Sequence, residues 1–254
     1  MSEEDKKQQV RKIVEKLRSA ISDNEEKILN EFDNHDNNIY GAIIKKFYVQ
    51  MLKLEHSIRT HLSEGDLYTA KIIHRSLIEH SITLQYIWCR EHILKDENLT
   101  SEKFFIIYRV AENIKRFGFD NKVNRILDEN LEKDTVKAYA KHRGEEEVVA
   151  RKALEHSSQF KIEKMVEFLV KEKILKSVLS GFNEIYFDAI SDYNILSSYV
   201  HGGPSALFWD AENNIYNEER ISTDLDIFIG MMMKIVIWVY TNSSGDSTIE
   251  EVSK

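Results

Sequence analysis

Apolar residues recur along most of this chain at intervals of three and four, the spacing that places them on one face of an α-helix. In residues 4–20 the stripe is Val10, Ile13, Val14 and Leu17, set in a charged surround. A short second helix is expected over 24–33, followed by an Asn/Asp-rich break at 33–38. Residues 39–62 read as a long helix with Tyr40, Ile43, Ile44, Phe47, Met51 and Leu54 on one face. Gly65-Asp66 marks a turn, and Asp66 is placed to cap the next helix, over 67–94. Further helices are expected over 101–117, within the highly charged 120–158 (with Gly144 as a breaker), over 160–176 and over 180–201. Residues 202–221 read as the one long irregular segment, and a last helix spans about 223–241. The pattern predicts an all-α helical bundle over 39–241, an N-terminal helical extension over 1–38 and a disordered tail over 242–254.

Composition agrees with this reading. A 254-residue chain with one proline and nine glycines lacks the turn residues that β architectures need. Residues 227–240 form the longest apolar run, yet Lys234 interrupts it. It is also shorter than the roughly 20 residues a membrane span requires, so it is read as a core helix. The first residues are acidic and then basic, with no apolar stretch, which is not a signal-peptide pattern. Cys89 is the single cysteine, which excludes an intrachain disulfide and a cysteine-based zinc cluster. Both features point to a cytoplasmic protein. The net charge is −8, with nine acidic and three basic residues in 201–254 against 34 and 32 in 1–200. No broad basic field exists, so any contact with RNA has to be local.

Two segments carry candidate chemistry. On the 67–94 helix, Tyr68, Ile72, Arg75, Glu79, Ile82 and Tyr86 fall within a narrow arc. Arg75 and Glu79 are i, i+4 neighbours in an otherwise apolar row. Such a pair is either a buried structural ion pair or the lining of a cleft in which Arg75 clamps a phosphate or carboxylate. In the second segment Tyr193, Ser197 and His201 form a polar ladder at i, i+4, i+8, stopped by Gly202, Gly203 and Pro204. A histidine at that helix end sits at the negative pole of the dipole, which favours its protonated form. It serves either as a C-cap or as a general acid/base. Ser197 is not on a strand-to-helix elbow, so it reads as a support rather than a nucleophile.

Other motifs are weaker. His35-Asp36 is a lone dipeptide, and the pairs His56/His61 and His74/His80 lack metal-ligand spacing. No Glu-x-x-His, zinc-protease or Gly-rich phosphate motif occurs, so no metal and no cofactor is expected. Phe208-Trp209 fits either a partner anchor or core filling beside the Gly-Gly-Pro turn.

The Arg-x-x-x-Glu helix (Arg75, Glu79) followed by a Tyr-x-x-x-Ser-x-x-x-His helix end (Tyr193, Ser197, His201) resembles a bacterial all-helical family catalogued only as a domain of unknown function. It is similar in outline to the HEPN superfamily, and the resemblance covers about residues 40–240. HEPN proteins are often metal-independent ribonucleases of toxin–antitoxin and phage-defence systems, with an Arg-x4–6-His site assembled across a dimer. The resemblance therefore implies a helical bundle, a homodimer and RNA as substrate. No arginine lies four to six residues before His201. Arg75/His80 and Arg151/His156 do fit the spacing, but with 11 arginines and nine histidines about one such match is expected by chance. The site expected from these residues joins Arg75, Glu79 and His201 across two helices, with Tyr193 and Ser197 supporting His201. The alternative is a non-catalytic module that dimerises or binds a protein partner, with the same residues as buried polar networks.

Overall fold

The computed structural model describes residues 2–34, 39–95, 101–128, 131–171, 190–193, 196, 197, 199, 200 and 217–246. Among these the chain is all-α. The helices are α1 (Glu3–Ser22), α2 (Glu25–Asn34), α3 (Ile39–Ser63), α4 (Leu67–Trp88), α5 (Ser101–Leu127), α6 (Thr135–Arg143), α7 (Glu147–His156) and α8 (Ile162–Lys171). The last is α9 (Glu218–Ser244). Residues 190–193, 196, 197, 199 and 200 are also helical and form the motif segment.

Local chemistry sets most boundaries. Gly65, at φ 75°, turns the chain between α3 and α4, and the Asp66 carboxylate accepts from the Thr69 amide at 3.0 Å to cap α4. Asp134 caps α6 the same way through Val136 and Lys137, and Gly144, at φ 67°, closes it. At the end of α4 the chain passes through one π-helical turn, Cys89–Ile93.

Three boundaries differ from those expected. The helix predicted to stop at 117 continues to Leu127, straight through Gly118. A Cβ built on Gly118 would lie 2.7 Å from Cγ2 of Thr135, so this glycine gives clearance for the start of α6 instead of ending a helix. The last helix begins at Glu218, inside the segment read as irregular, because the Asn217 side chain accepts from the Arg220 amide. It also ends later, at Ser244, with Gly245 in the left-handed region as its cap. Gly118→Ala is expected to destabilise the protein by about 1 kcal/mol through overpacking. In a Thr135→Ser background, which lacks Cγ2, the same change should stabilise by about 1 kcal/mol through helix propensity. Urea unfolding of the four proteins checks the reversal of sign.

α9 is the centre of the core. It packs against α1, α2, α3 and α4, and its residues from Ile227 to Ile237 are almost all buried. It is the helix read from the 227–240 run. The apolar faces of α1 and α2 (Val10, Val14, Leu17, Ile21, Ile28, Phe32) belong to this same core. A half-buried ion network ties the layers: Glu55 on α3 accepts from Arg18 of α1 and from Arg59, which reaches Asp226 of α9. A smaller apolar cluster of Ile114, Val136, Tyr139, Ala140 and Ala150 holds α5, α6 and α7 together. α8 packs on α4, which leaves α4 bordered by α3, α8, α9 and the motif segment. Among the described residues no helix is long and apolar enough to cross a membrane.

Candidate functional site

One face of α4 carries a row of polar side chains into the motif segment. The i, i+4 spacing brings Arg75 Nη2 to 3.0 Å from Glu79 Oε1. Tyr193 completes the group. Its hydroxyl donates to Glu79 Oε1 at 2.8 Å and accepts from Arg75 Nη2 at 3.1 Å. The Arg75 guanidinium also lies over the Tyr193 ring, 5.2 Å from its centroid, a cation–π contact. Burial is the main cause that pushes the Tyr193 phenol above its ordinary value. Arg75 opposes that shift and Glu79 adds to it. The phenol is therefore protonated at neutral pH and remains a donor to the carboxylate.

The Arg75–Glu79 pair is neither sealed nor freely exposed. The Arg75 side chain keeps 17% of its surface and Glu79 keeps 35%. Arg75 Nε is buried without a hydrogen-bond partner among the described residues. Glu79 and Tyr193 open onto a cleft of about 830 Å³, whose walls include Thr83, Tyr108, Lys115, Ser157, Ser158 and Lys161. Glu79, Thr83 and Tyr108 also border a second cavity of about 330 Å³ with His80 and Arg109. Burial, followed by the charges of Glu112 and Glu79, raises the Tyr108 phenol as well.

Arg75, Glu79 and Tyr193 thus meet across two helices. Tyr193 bonds the Arg75–Glu79 pair itself, a role its sequence position did not indicate. Ser197 is helical and half-buried on the same segment, but it is not among the groups bonded to Arg75 or Glu79. The expectations for His201, for Gly202-Gly203-Pro204, for Phe208-Trp209 and for His35-Asp36 lie outside the described residues. Among the described residues no cluster of three or more His, Cys, Asp or Glu side chains is arranged to hold a metal ion.

Sequence reasoning missed the polar belt beside this site. One turn before Arg75, the buried Lys71 donates to the Tyr199 hydroxyl at 3.1 Å, with its ammonium 4.6 Å from the ring centroid. Tyr68 donates to the Tyr199 carbonyl at 3.2 Å. From α9, Arg220 donates to Asp192 at 2.9 Å and lies 3.6 Å from Asp224, which is fully buried. The motif segment is therefore fastened to α4 and α9 by hydrogen bonds on both sides. The one available signal was Lys71 itself, at i−4 from Arg75, but a lysine in an amphipathic helix ordinarily reads as solvated.

Residues 41–216 match a protein family described as a family of unknown function, DUF5677. The chain belongs to that family. The DUF5677 match takes in Arg75, Glu79, Tyr193, Ser197 and His201. It excludes α1, α2 and α9, although α9 fills the centre of the core. No curated protein and no solved structure matches this DUF5677 chain.

Proposed function

We propose that this protein is a HEPN-like bacterial effector of the toxin or phage-defence kind. It would cleave RNA without a metal, as a cytoplasmic homodimer, at the cleft bordered by Glu79 and Tyr193. One observation carries the reading. A cation, a carboxylate and a phenol from two helices converge at the edge of a cleft that also presents Lys115, Lys161 and several hydroxyls. That set of groups suits a phosphodiester, because a guanidinium and ammonium groups offset its charge as negative charge builds on the phosphoryl oxygens.

In this reading Arg75 holds the scissile phosphate and Glu79 fixes the guanidinium in place. Tyr193, kept protonated, completes that group by donating to Glu79. His201 acts as the acid/base. It takes the proton of the 2′-hydroxyl, the freed oxygen attacks phosphorus as the bond from phosphorus to the 5′-oxygen breaks, and His201 returns the proton to that departing oxygen. The products are a 2′,3′-cyclic phosphate and a 5′-hydroxyl. General acid/base help of this kind is worth about 10²–10⁴ in rate.

A second reading rests on a separate observation. Arg75 is mostly buried, and its Nη2 is satisfied by Tyr193 and Glu79. This suits a non-catalytic module that dimerises or binds a partner protein, with the same three residues locking the motif segment to α4.

The test is incubation of purified protein with RNA in EDTA, alongside growth of cells expressing it. Cleavage with cyclic-phosphate ends, reduced about 10²–10⁴-fold in His201→Ala, supports the first reading. An inactive wild-type protein, equally harmless to cells as His201→Ala and Arg75→Ala, supports the second.

A further inference from the structure

The second half of α5 is apolar on two opposite faces. One of them packs against its neighbours. Ile114 is buried in the cluster with α6 and α7, and Phe117 lies against the rings of Tyr139 and His142. On the same side Gly118 faces Thr135, and Asn121 Nδ2 donates to the Glu132 carbonyl at 3.0 Å. The opposite face is open. Phe119, Val123 and Ile126 recur there at i, i+4, i+7 and keep 69%, 46% and 81% of their surface exposed. A helix that packs one face on its own protein ordinarily turns a polar face to water. A second apolar stripe on the same helix points to a second contact.

Cations border this stripe on both sides. At 3.6 residues per turn Arg116 lies on one flank and Lys115 and Lys122 on the other, each within roughly 60° of Phe119. All three are exposed, and among the described residues none of them forms an ion pair. Residues 113–127 hold four basic residues and one acidic one, on a chain of net charge −8. Long basic side chains in such positions lie along apolar surface with their charges turned outward. Three apolar side chains offer much less than the roughly 800 Å² per partner that a stable protein interface buries. Pairing this face with itself would also set four basic residues of one copy against four of the other, with one carboxylate each to offset them. Nucleic acid would meet the cations but leave Val123 and Ile126 unmatched.

We propose that this face of α5 docks the protein on an anionic lipid bilayer. The helix lies in the plane of the surface, with Phe119, Val123 and Ile126 at the boundary between headgroups and acyl chains and with Lys115, Arg116 and Lys122 on the headgroups. The contact is peripheral and reversible, because so short a stripe gives a weak and salt-sensitive anchor. The inference does not depend on the ribonuclease reading, but it bears on the same cleft. Lys115 stands on the flank of the stripe and also in the cleft wall, so a docked α5 holds the cleft close to the bilayer surface.

The experiment is co-sedimentation of the purified full chain with vesicles of phosphatidylcholine alone and of an equimolar mixture with phosphatidylglycerol. The mixed vesicles are expected to bind it at least about tenfold more tightly, and added salt to remove the difference. Phe119→Ser/Ile126→Ser should weaken binding to the mixed vesicles at least about tenfold. Arg116→Glu/Lys122→Glu should bring it down to the level of the neutral vesicles. Val148→Ser/Val149→Ser, at exposed positions of α7, should leave it unchanged. All these residues are exposed, so circular dichroism spectra and urea midpoints like those of the wild type confirm that the variants are folded. Phe119→Trp keeps the stripe apolar and reports on it directly: relative to wild type, its emission should gain a blue-shifted component on the mixed vesicles. A wild-type chain that binds neither vesicle overturns the proposal. So does binding that survives Phe119→Ser/Ile126→Ser and falls only with the charge reversals, or an equal loss from the α7 pair. A wild-type dimer that Phe119→Ser/Ile126→Ser splits into monomers on a sizing column overturns it in favour of a second copy of this chain.

Discussion

Arg75→Ala is expected to lower RNA cleavage by about 10²–10³-fold and to abolish growth arrest on expression. The magnitude follows from where the guanidinium sits. Arg75 is mostly buried, and its Nη2 already lies 3.0 Å from a carboxylate and 3.1 Å from a phenol. A cation held this way is oriented before any phosphate arrives, so little reorganisation is left for the reaction itself. The same substitution removes two charge-assisted hydrogen bonds and the cation–π contact with Tyr193. A stability loss of about 1–3 kcal/mol should accompany the loss of activity. Arg75→Lys separates the two effects. Lysine keeps the charge but cannot present the planar fork, so it should recover more stability than activity. Cleavage rates and urea midpoints measured on the same preparations decide the matter. If the structural reading is right, both variants lose stability in proportion and the wild-type protein has no cleavage to lose.

Some of this site was legible in the sequence for plain physical reasons. Arg75 and Glu79 interrupt an apolar row at i, i+4, and that spacing alone brings the two charges together. The turn at Gly65-Asp66 was legible because a glycine and a capping carboxylate each do one thing well at a helix boundary. Tyr193 was singled out from its own helix, where it stands in register with Ser197. Its partner across the interface could not be read, because spacing along one helix says nothing of the facing one. Gly118 shows the converse limit. The helix was expected to stop just before it, at 117, whereas its missing Cβ makes room for Thr135, a contact set by tertiary packing. The first turn of α9 was hidden in the polar run Asn217-Glu218-Glu219-Arg220, which is as common in loops as at a capped helix start. The cleft had no local signature at all. Lys115 and Lys161 are ordinary charges on one helix and a short connecting turn, and only the fold gathers them beside Glu79 and Tyr193.

Acid should unfold this protein early, and His74 on α4 is a principal cause. Its side chain is fully buried, edge-on against Phe228 of α9 at 6.2 Å between ring centroids. Burial first, and the nearby Arg220 cation second, push its pKa from 6.5 down to about 3. Burial also pushes His92 down, to about 4, where it packs tilted against Tyr40 and edge-on against Trp238. The folded protein therefore keeps both imidazoles neutral at pH values where the unfolded chain protonates them. Below pH 6.5 the unfolded state binds the extra protons, and stability falls as pH falls. For His74 the loss relative to neutral pH is about 2 kcal/mol at pH 5 and on the order of 4 kcal/mol at pH 3, where the folded state begins to take the proton too. Carboxylates contribute their own acid dependence, so the informative quantity is a difference between proteins. His74→Gln keeps a polar side chain of similar reach and cannot titrate. It should be less stable than wild type at pH 7, yet lose less stability on acidification. Between pH 6 and 4 its stability curve should be shallower by about 1.4 kcal/mol per pH unit. Urea midpoints across that range provide the measurement. Parallel curves for the two proteins would mean that His74 takes up its proton in the folded protein as readily as in the unfolded chain, and would overturn this account.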